Sequence, residues 1–220
     1  MKIVVVSPHP DDESLGAGGF IIKHKKAGDQ VFWINITDVE ENQGWDNSFV
    51  KRRRQQIEQV CVYYKFDGFY NLKFQPATLE NVDKGSIISA FGKCIQEIEP
   101  NWIVLPNPGD AHTDHLVTYE AGMSCTKVFR YPSVKKVMTM EIISETDFSK
   151  SGEAFSPNYI VDISDCLEDK MNALQIYDTE FGEPPFPRSL EAVKALALLR
   201  GGVSGCKYAE AFKIIKEIDR

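Results

Sequence analysis

The chain opens with an apolar run, Ile3-Val4-Val5-Val6, short and rich in β-branched side chains, which predicts a strand buried on both faces. Apolar positions then recur every three to four residues over 13–27, a helix closed by Gly28, and QVFWINIT at 30–37 predicts a second strand. Residues 38–48 (DVEENQGWDNS) are polar and turn-rich and lead into a helix over about 49–64. The pattern continues as a short strand at 69–72, a helix at 87–99, a strand at 102–105 ended by Pro106, and a helix at about 114–129. Beyond it come strands at 137–142 and 159–162, helices at 164–178 and 189–200, and a final short helix near 208–218. Strands alternating with helices imply a three-layer α/β/α, Rossmann-like domain with a mainly parallel sheet, and no repeat or linker divides residues 1–220.

Bulk composition narrows the partners. At 43% hydrophobic and 26% charged the chain has globular composition, and its net charge of -7 disfavours nucleic acid and anionic lipid. The one basic run, Lys51-Arg52-Arg53-Arg54, reads as a solvated or partner-facing helix surface. Cys61, Cys94, Cys125, Cys166 and Cys206 are scattered without metal or redox spacing and read as reduced core thiols. With neither a secretory leader nor an apolar stretch long enough for a bilayer, a soluble cytoplasmic protein without membrane insertion is expected.

The candidate chemistry sits behind the two best strands. SPHPDDESLGAGG, residues 7–19, follows the first, and in open parallel sheets ligands bind at that strand edge. A dinucleotide fingerprint fails there, because Ile21 occupies the sixth position of any G-x-G-x-x-G and Asp11, Asp12 and Glu13 would repel a pyrophosphate. The glycines read instead as close helix-to-sheet packing. PNPGDAHTDH follows the 102–105 strand, so three of the four histidines fall in two matching loops that each combine His with Asp. Helix caps account for one or two such residues per loop, not for His9, Asp11, Asp12, His112, Asp114 and His115 together. Mixed imidazole and carboxylate ligands suit zinc and also Fe2+, Ni2+ or Co2+, with three protein ligands leaving a position open for water.

Pro8-His9-Pro10-Asp11-Asp12-Glu13 with Leu15-Gly16-Ala17-Gly18-Gly19 resembles the (A/S)HPDDE signature of the PIG-L (LmbE-like) family of zinc-dependent N-acetylsugar deacetylases. The 108–115 stretch resembles that family's HxDH segment, and Tyr208-Ala209-Glu210-Ala211-Phe212 its YAEAF-type element. The resemblance implies that His9, Asp12 and His115 bind the metal and Asp11 is the general base, with His112 facing the oxyanion and Asp114 orienting it or keeping it protonated. It implies a small N-acetylated sugar as substrate, possible nucleotide or lipid linkage of that sugar, and a homo-oligomer. Arg53 is aligned for substrate contact, with Arg52 and Arg54 one residue away, and Arg188 is placed to reach a substrate phosphate or carboxylate. Glu141 and Ser144 are weaker candidates for hydroxyl recognition, and Phe74-Gln75-Pro76-Ala77 replaces a proline-aspartate pair found in some members. Specificity is expected from loops at 38–48, 74–86 and 144–158. The rival readings are a metallohydrolase of another small N-acylated substrate or a phosphoester, and a non-catalytic nucleotide-binding module.

Overall fold

Along β1 (Lys2–Ser7) side chains alternate between two apolar layers, Ile3 and Val5 facing one and Val4 and Val6 the other. Both layers are covered, so the strand is apolar throughout. The computed structural model describes residues 1–149 and 154–219. The remaining strands are β2 (Gln30–Thr37), β3 (Gly68–Phe74), β4 (Trp102–Pro106), β5 (Lys136–Met140), β6 (Tyr159–Asp162) and β7 (Ala209–Glu217). They form one sheet in the order β3-β2-β1-β4-β5-β7-β6, parallel except for β7, which runs against both of its neighbours. Helices α1 (Asp12–Lys26), α2 (Asn47–Tyr64), α5 (Leu167–Leu174) and α6 (Leu190–Ser204) pack on the face that carries Val5, Trp33 and Met140. Helices α3 (Lys84–Ile98) and α4 (Thr113–Ser124) cover the other face through Phe91, Ile95 and Val117. The architecture is the expected three-layer α/β/α sandwich. Among the described residues no helix is long and apolar enough to cross a membrane.

Three elements differ from the sequence expectation, the helix expected over about 114–129 ending already at Ser124. The segment near 208–218 is strand β7, not a helix. Its apolar spacing imitates a helix because the register with β5 slips between Val137 and Met138, so Lys216 pairs Val137 while Ile214 pairs Met138 and Ile215 is the extra residue. The helix expected over 164–178 ends at Leu174, and the chain then turns to carry Tyr177, Asp178 and Glu180 toward α2 and the β1–α1 loop.

Helix α1 is broken at Ala17, whose φ of -141° is not helical. The amide groups of Gly19 and Phe20, freed by the break, donate to the buried Glu210 carboxylate at 2.8 and 2.7 Å. Lys170 Nζ donates to Glu210 at 2.7 Å and to the Leu15 carbonyl at 2.7 Å. Strand β7 thus brings a buried carboxylate to a second helix start inside α1. The glycines serve close packing: a Cβ on Gly16 would lie 2.8 Å from Met140, and one on Gly19 would lie 2.6 Å from Ile163.

Candidate metal centre and its cleft

Strand order reverses direction of travel between β1 and β4, which pair in parallel through Ile3↔Trp102 and Val5↔Val104. Such a switch point opens a crevice beyond the strand ends, and both His-and-Asp loops lead into it. The β1–α1 loop is tied down by Thr37, whose amide and hydroxyl donate to the Pro8 carbonyl at 3.0 and 2.7 Å. Asp11 has φ 145°, a backbone conformation costly for a side-chain-bearing residue. Surrounding bonds hold it there: its amide donates to Glu13 Oε2 at 3.1 Å, and its carbonyl accepts from Ser14 and Leu15. Glu13 is itself buried, bonded to Ser14 and the Tyr177 hydroxyl, and burial pushes its carboxyl up to about 7. Arg53 donates to the Pro10 carbonyl at 2.7 Å.

His9, Asp12 and His115 present one ligand atom each within 4.8 Å of one another. Asp12 Oδ2 lies 3.4 Å from His9 Nδ1 and 3.4 Å from His115 Nε2. His115 is wholly buried. Its Nδ1 is 2.8 Å from Asp110 Oδ2, while its Nε2 faces Asp12 Oδ2 at 3.4 Å and makes no hydrogen bond among the described residues. A buried imidazole locked by a carboxylate on one nitrogen and orphaned on the other is the arrangement of a metal-ligating histidine and its orienting partner. Asp110 accepts further bonds from Asn107 at 3.0 Å and Thr146 at 2.8 Å. Nothing in its position, five residues before His115, marks it in the sequence as that histidine's partner.

A second group of suitable atoms is His9, His112 and Asp114. Asp114 is engaged elsewhere, accepting from the Ala77 and Leu79 amides at 2.7 and 3.1 Å and lying 3.0 Å from His9 Nε2. What holds His112 is the Asp114 backbone amide, which donates to His112 Nδ1 at 3.1 Å; the carboxylate is 4.0 Å away. Burial, with His9 adding to it, lowers the His112 pKa. With Nδ1 accepting from that amide, the neutral ring carries its proton on Nε2, while the Asp114 charge acts in the opposite direction, raising the pKa.

Electrostatically the metal-free cluster stores protons. Burial opposes charge on His9, but the bonds to Asp114 and Asp12 outweigh it and raise the pKa to about 9. His115 rises to about 10, burial again being outweighed by Asp12 and Asp110. Burial also opposes the Asp12 charge, yet the two histidines hold its pKa far below the usual carboxylate range. Asp11 goes the other way: burial, then Asp12 and Glu180, raise its pKa well above normal. A divalent cation at this point would displace the histidine protons and favour ionised Asp11.

The cluster lies at the floor of a cleft of about 380 Å³, walled by Thr37, Asp38, Trp45, Phe49, Arg53, Pro76, Ala77, Glu145, Glu180 and Arg188. Of the basic run, Arg53 alone lines it. Lys51 and Arg54 are exposed and Arg52 half-buried, as expected of a solvated helix surface, with Arg52 paired to Asp178 and Arg54 to Glu40; Arg53 departs from it, being buried and bonded to Glu180. Arg188 Nη1 stands 3.4 Å from Asp11 Oδ2. Glu141 pairs with Arg200 and, like Ser144, is absent from the cleft wall; Glu145, one residue past Ser144, is there instead, accepting from the His112 amide at 3.1 Å. Sequence reasoning passed over Glu145, Asp38 and Glu180 because acidic residues in loops carry no periodic mark. Of the 144–158 specificity loop, residues 150–153 lie outside the described residues.

Comparison with known proteins shows what the chain is similar to. The chain is 23% identical over 99% of its length, and 84% of the other's, to diacetylchitobiose deacetylase of Thermococcus kodakarensis. It is 27% identical over 81% of its length, and 82% of the other's, to a probable N-acetyl-alpha-D-glucosaminyl L-malate deacetylase 2 of Bacillus subtilis. The crystal structure of N,N'-diacetylchitobiose deacetylase from Pyrococcus horikoshii superposes with a TM-score of 0.79 at 22% identity, covering 98% of this chain and 84% of that one. A model of the PIG-L family, GlcNAc-PI de-N-acetylase, matches residues 4–126, a span that contains both metal-capable loops, and the chain belongs to that family.

Proposed function

We propose that this chain is a zinc-dependent hydrolase that removes the acetyl group from an N-acetylated amino sugar, giving acetate and a free amine. The observation that carries the reading is the orphaned Nε2 of buried His115 converging with His9 and Asp12 beneath a cleft that also holds Asp11. The donor set fits a divalent ion such as zinc. Fold alone leaves chemistry open; the family and the two deacetylase relatives support this chemistry.

Zinc bound by His9, Asp12 and His115 would supply a Lewis acid and acidify water toward neutrality. Asp11, projecting into the cleft from its strained turn, takes the proton as water attacks the acetamide carbon and returns it to the departing nitrogen. His112 donates from Nε2 to the oxygen that gains charge, held in that tautomer by the Asp114 amide. Asp114 props the 77–79 turn against the cluster. Arg53 fastens the Pro10 carbonyl, and Arg188 bears on Asp11.

Residues 1–220 act as one catalytic domain, which the continuous seven-stranded sheet supports. Cytoplasmic location is supported by five unpaired cysteines. A homo-oligomer is supported by the apolar outer side of α6, where Leu198, Leu199 and Val203 are exposed; a monomer mass in light scattering would remove that assignment.

The test is acetate release by zinc-loaded protein from N-acetylhexosamines. Asp11→Asn should retain stoichiometric zinc and lose about 10²–10⁴-fold in kcat. Zinc-loaded protein that frees neither acetate nor amine would defeat the deacetylase reading, and wild-type turnover in the variant would remove Asp11 from it.

A further inference from the structure

Trp45 is 43% exposed, yet it is not a stray surface aromatic: it lines the cleft together with Phe49, Val39 and Pro76. Its ring lies against that of Phe49, centroids 5.3 Å apart and planes inclined by 22°. The pair is held from behind. Asp46, next to Trp45, caps α2 by accepting from the Ser48 amide at 2.7 Å, and Phe49 and Arg53 are one helical turn apart on α2. The Arg53 guanidinium sits 5.6 Å from the Phe49 centroid while donating to the Pro10 carbonyl of the metal loop. An apolar plate at the mouth is thus coupled through one arginine to the reacting centre.

The charges around it are already matched. Arg53 is bonded to Glu180, and Arg188 faces both Asp11, at 3.4 Å, and Glu180, at 3.7 Å. Asp12, Asp38 and Glu145 add further carboxylates to the wall. Phosphate and carboxylate ligands need free guanidinium or ammonium groups in a positive field; here both guanidinium groups face carboxylates, and among the described lining residues only the buried Arg188 Nε lacks an acceptor. The C–H face of a neutral pyranose, by contrast, suits the negative face of stacked indole and benzene rings.

We infer that Trp45 and Phe49 form an aromatic platform on which the neutral sugar ring linked to the acetamido sugar stacks, making Trp45 a specificity-determining residue for the uncharged part of the substrate. This rests on the deacetylase reading of the same cleft.

The experiment compares N-acetylglucosamine, its β-1,4-linked dimer and uridine-diphosphate-linked N-acetylglucosamine on zinc-loaded wild type, Trp45→Ala and Trp45→Phe. In parallel, tryptophan emission of the metal-free protein is titrated with the dimer. Trp33 is fully buried and Trp102 lies in β4, so Trp45 is the cleft's reporter. The dimer should be favoured over the monomer by about tenfold in kcat/KM, carried by KM, with the preference lost in Trp45→Ala and kept in Trp45→Phe. The dimer should also shift the emission of wild type and not that of Trp45→Phe. An emission shift without acetate release from any substrate would leave the platform standing and defeat the deacetylase reading. Acetate release with an unaltered dimer-to-monomer ratio in Trp45→Ala, an absent emission response, or a preference for the nucleotide-linked sugar would overturn the platform.

Discussion

His115 shows how one side chain acquires a role from its neighbours. Alone, a fully buried imidazole without a partner on Nε2 is a cost; with Asp110 fixing Nδ1 and Asp12 at 3.4 Å, it is a preset ligand. Asp110→Asn preserves shape but removes the negative acceptor. It should weaken zinc binding by about 10–100-fold, measured by competition with a chromogenic chelator. Unchanged affinity would make Asp110 a loop staple for Asn107 and Thr146 only. The residue types in HPDDE and HTDH announced this site, whereas Asp110 and Glu145 were silent because their significance depends on which atoms face them after folding.

At the level of elements, the kink in α1 and strand β7 explain each other. An interrupted helix leaves amides to satisfy, and Glu210 reaches them only because β7 is extended and central enough to bury its carboxylate beside Lys170. Glu210→Ala would leave Lys170 buried without its counter-ion and two amides without acceptors, and should destabilise the fold by about 3–5 kcal/mol in denaturant unfolding. A loss below about 1 kcal/mol would mean that water replaces the carboxylate and that α1 does not depend on β7. The pattern over 208–218 predicts a helix where the terminal strand lies, because a register slip erases the strand's period of two.

For the whole molecule, the proton load of the metal-free centre sets a pH dependence. His9 and His115 have pKa values raised from 6.5 to about 9 and about 10, so the stability they contribute is fully present below 6.5 and is lost as pH climbs through 9 to 10. Asp12 is depressed, so its contribution is present above the ordinary carboxylate range and disappears only in strong acid. Zinc must displace the histidine protons, which makes its affinity rise with pH. The increase in Tm on adding excess zinc should therefore grow from pH 6 to pH 8.5, read by thermal unfolding with and without metal. A constant increment would show that the ligands are already deprotonated in the metal-free protein.

The sequence by itself determined the layered α/β architecture and the two loops that carry metal chemistry, because hydrophobic period and residue type are local properties of the chain. It also supported Arg53 over its neighbours through a resemblance. Tertiary structure decided what Arg53 touches, that Asp114 braces the 77–79 turn, that Glu145 and not Glu141 or Ser144 faces the cleft, and that Trp45 and Phe49 stack at its mouth. Apart from the Trp45–Phe49 contact itself, which joins residues four apart, these are outcomes of distance between segments far apart in sequence, which no spacing along the chain encodes.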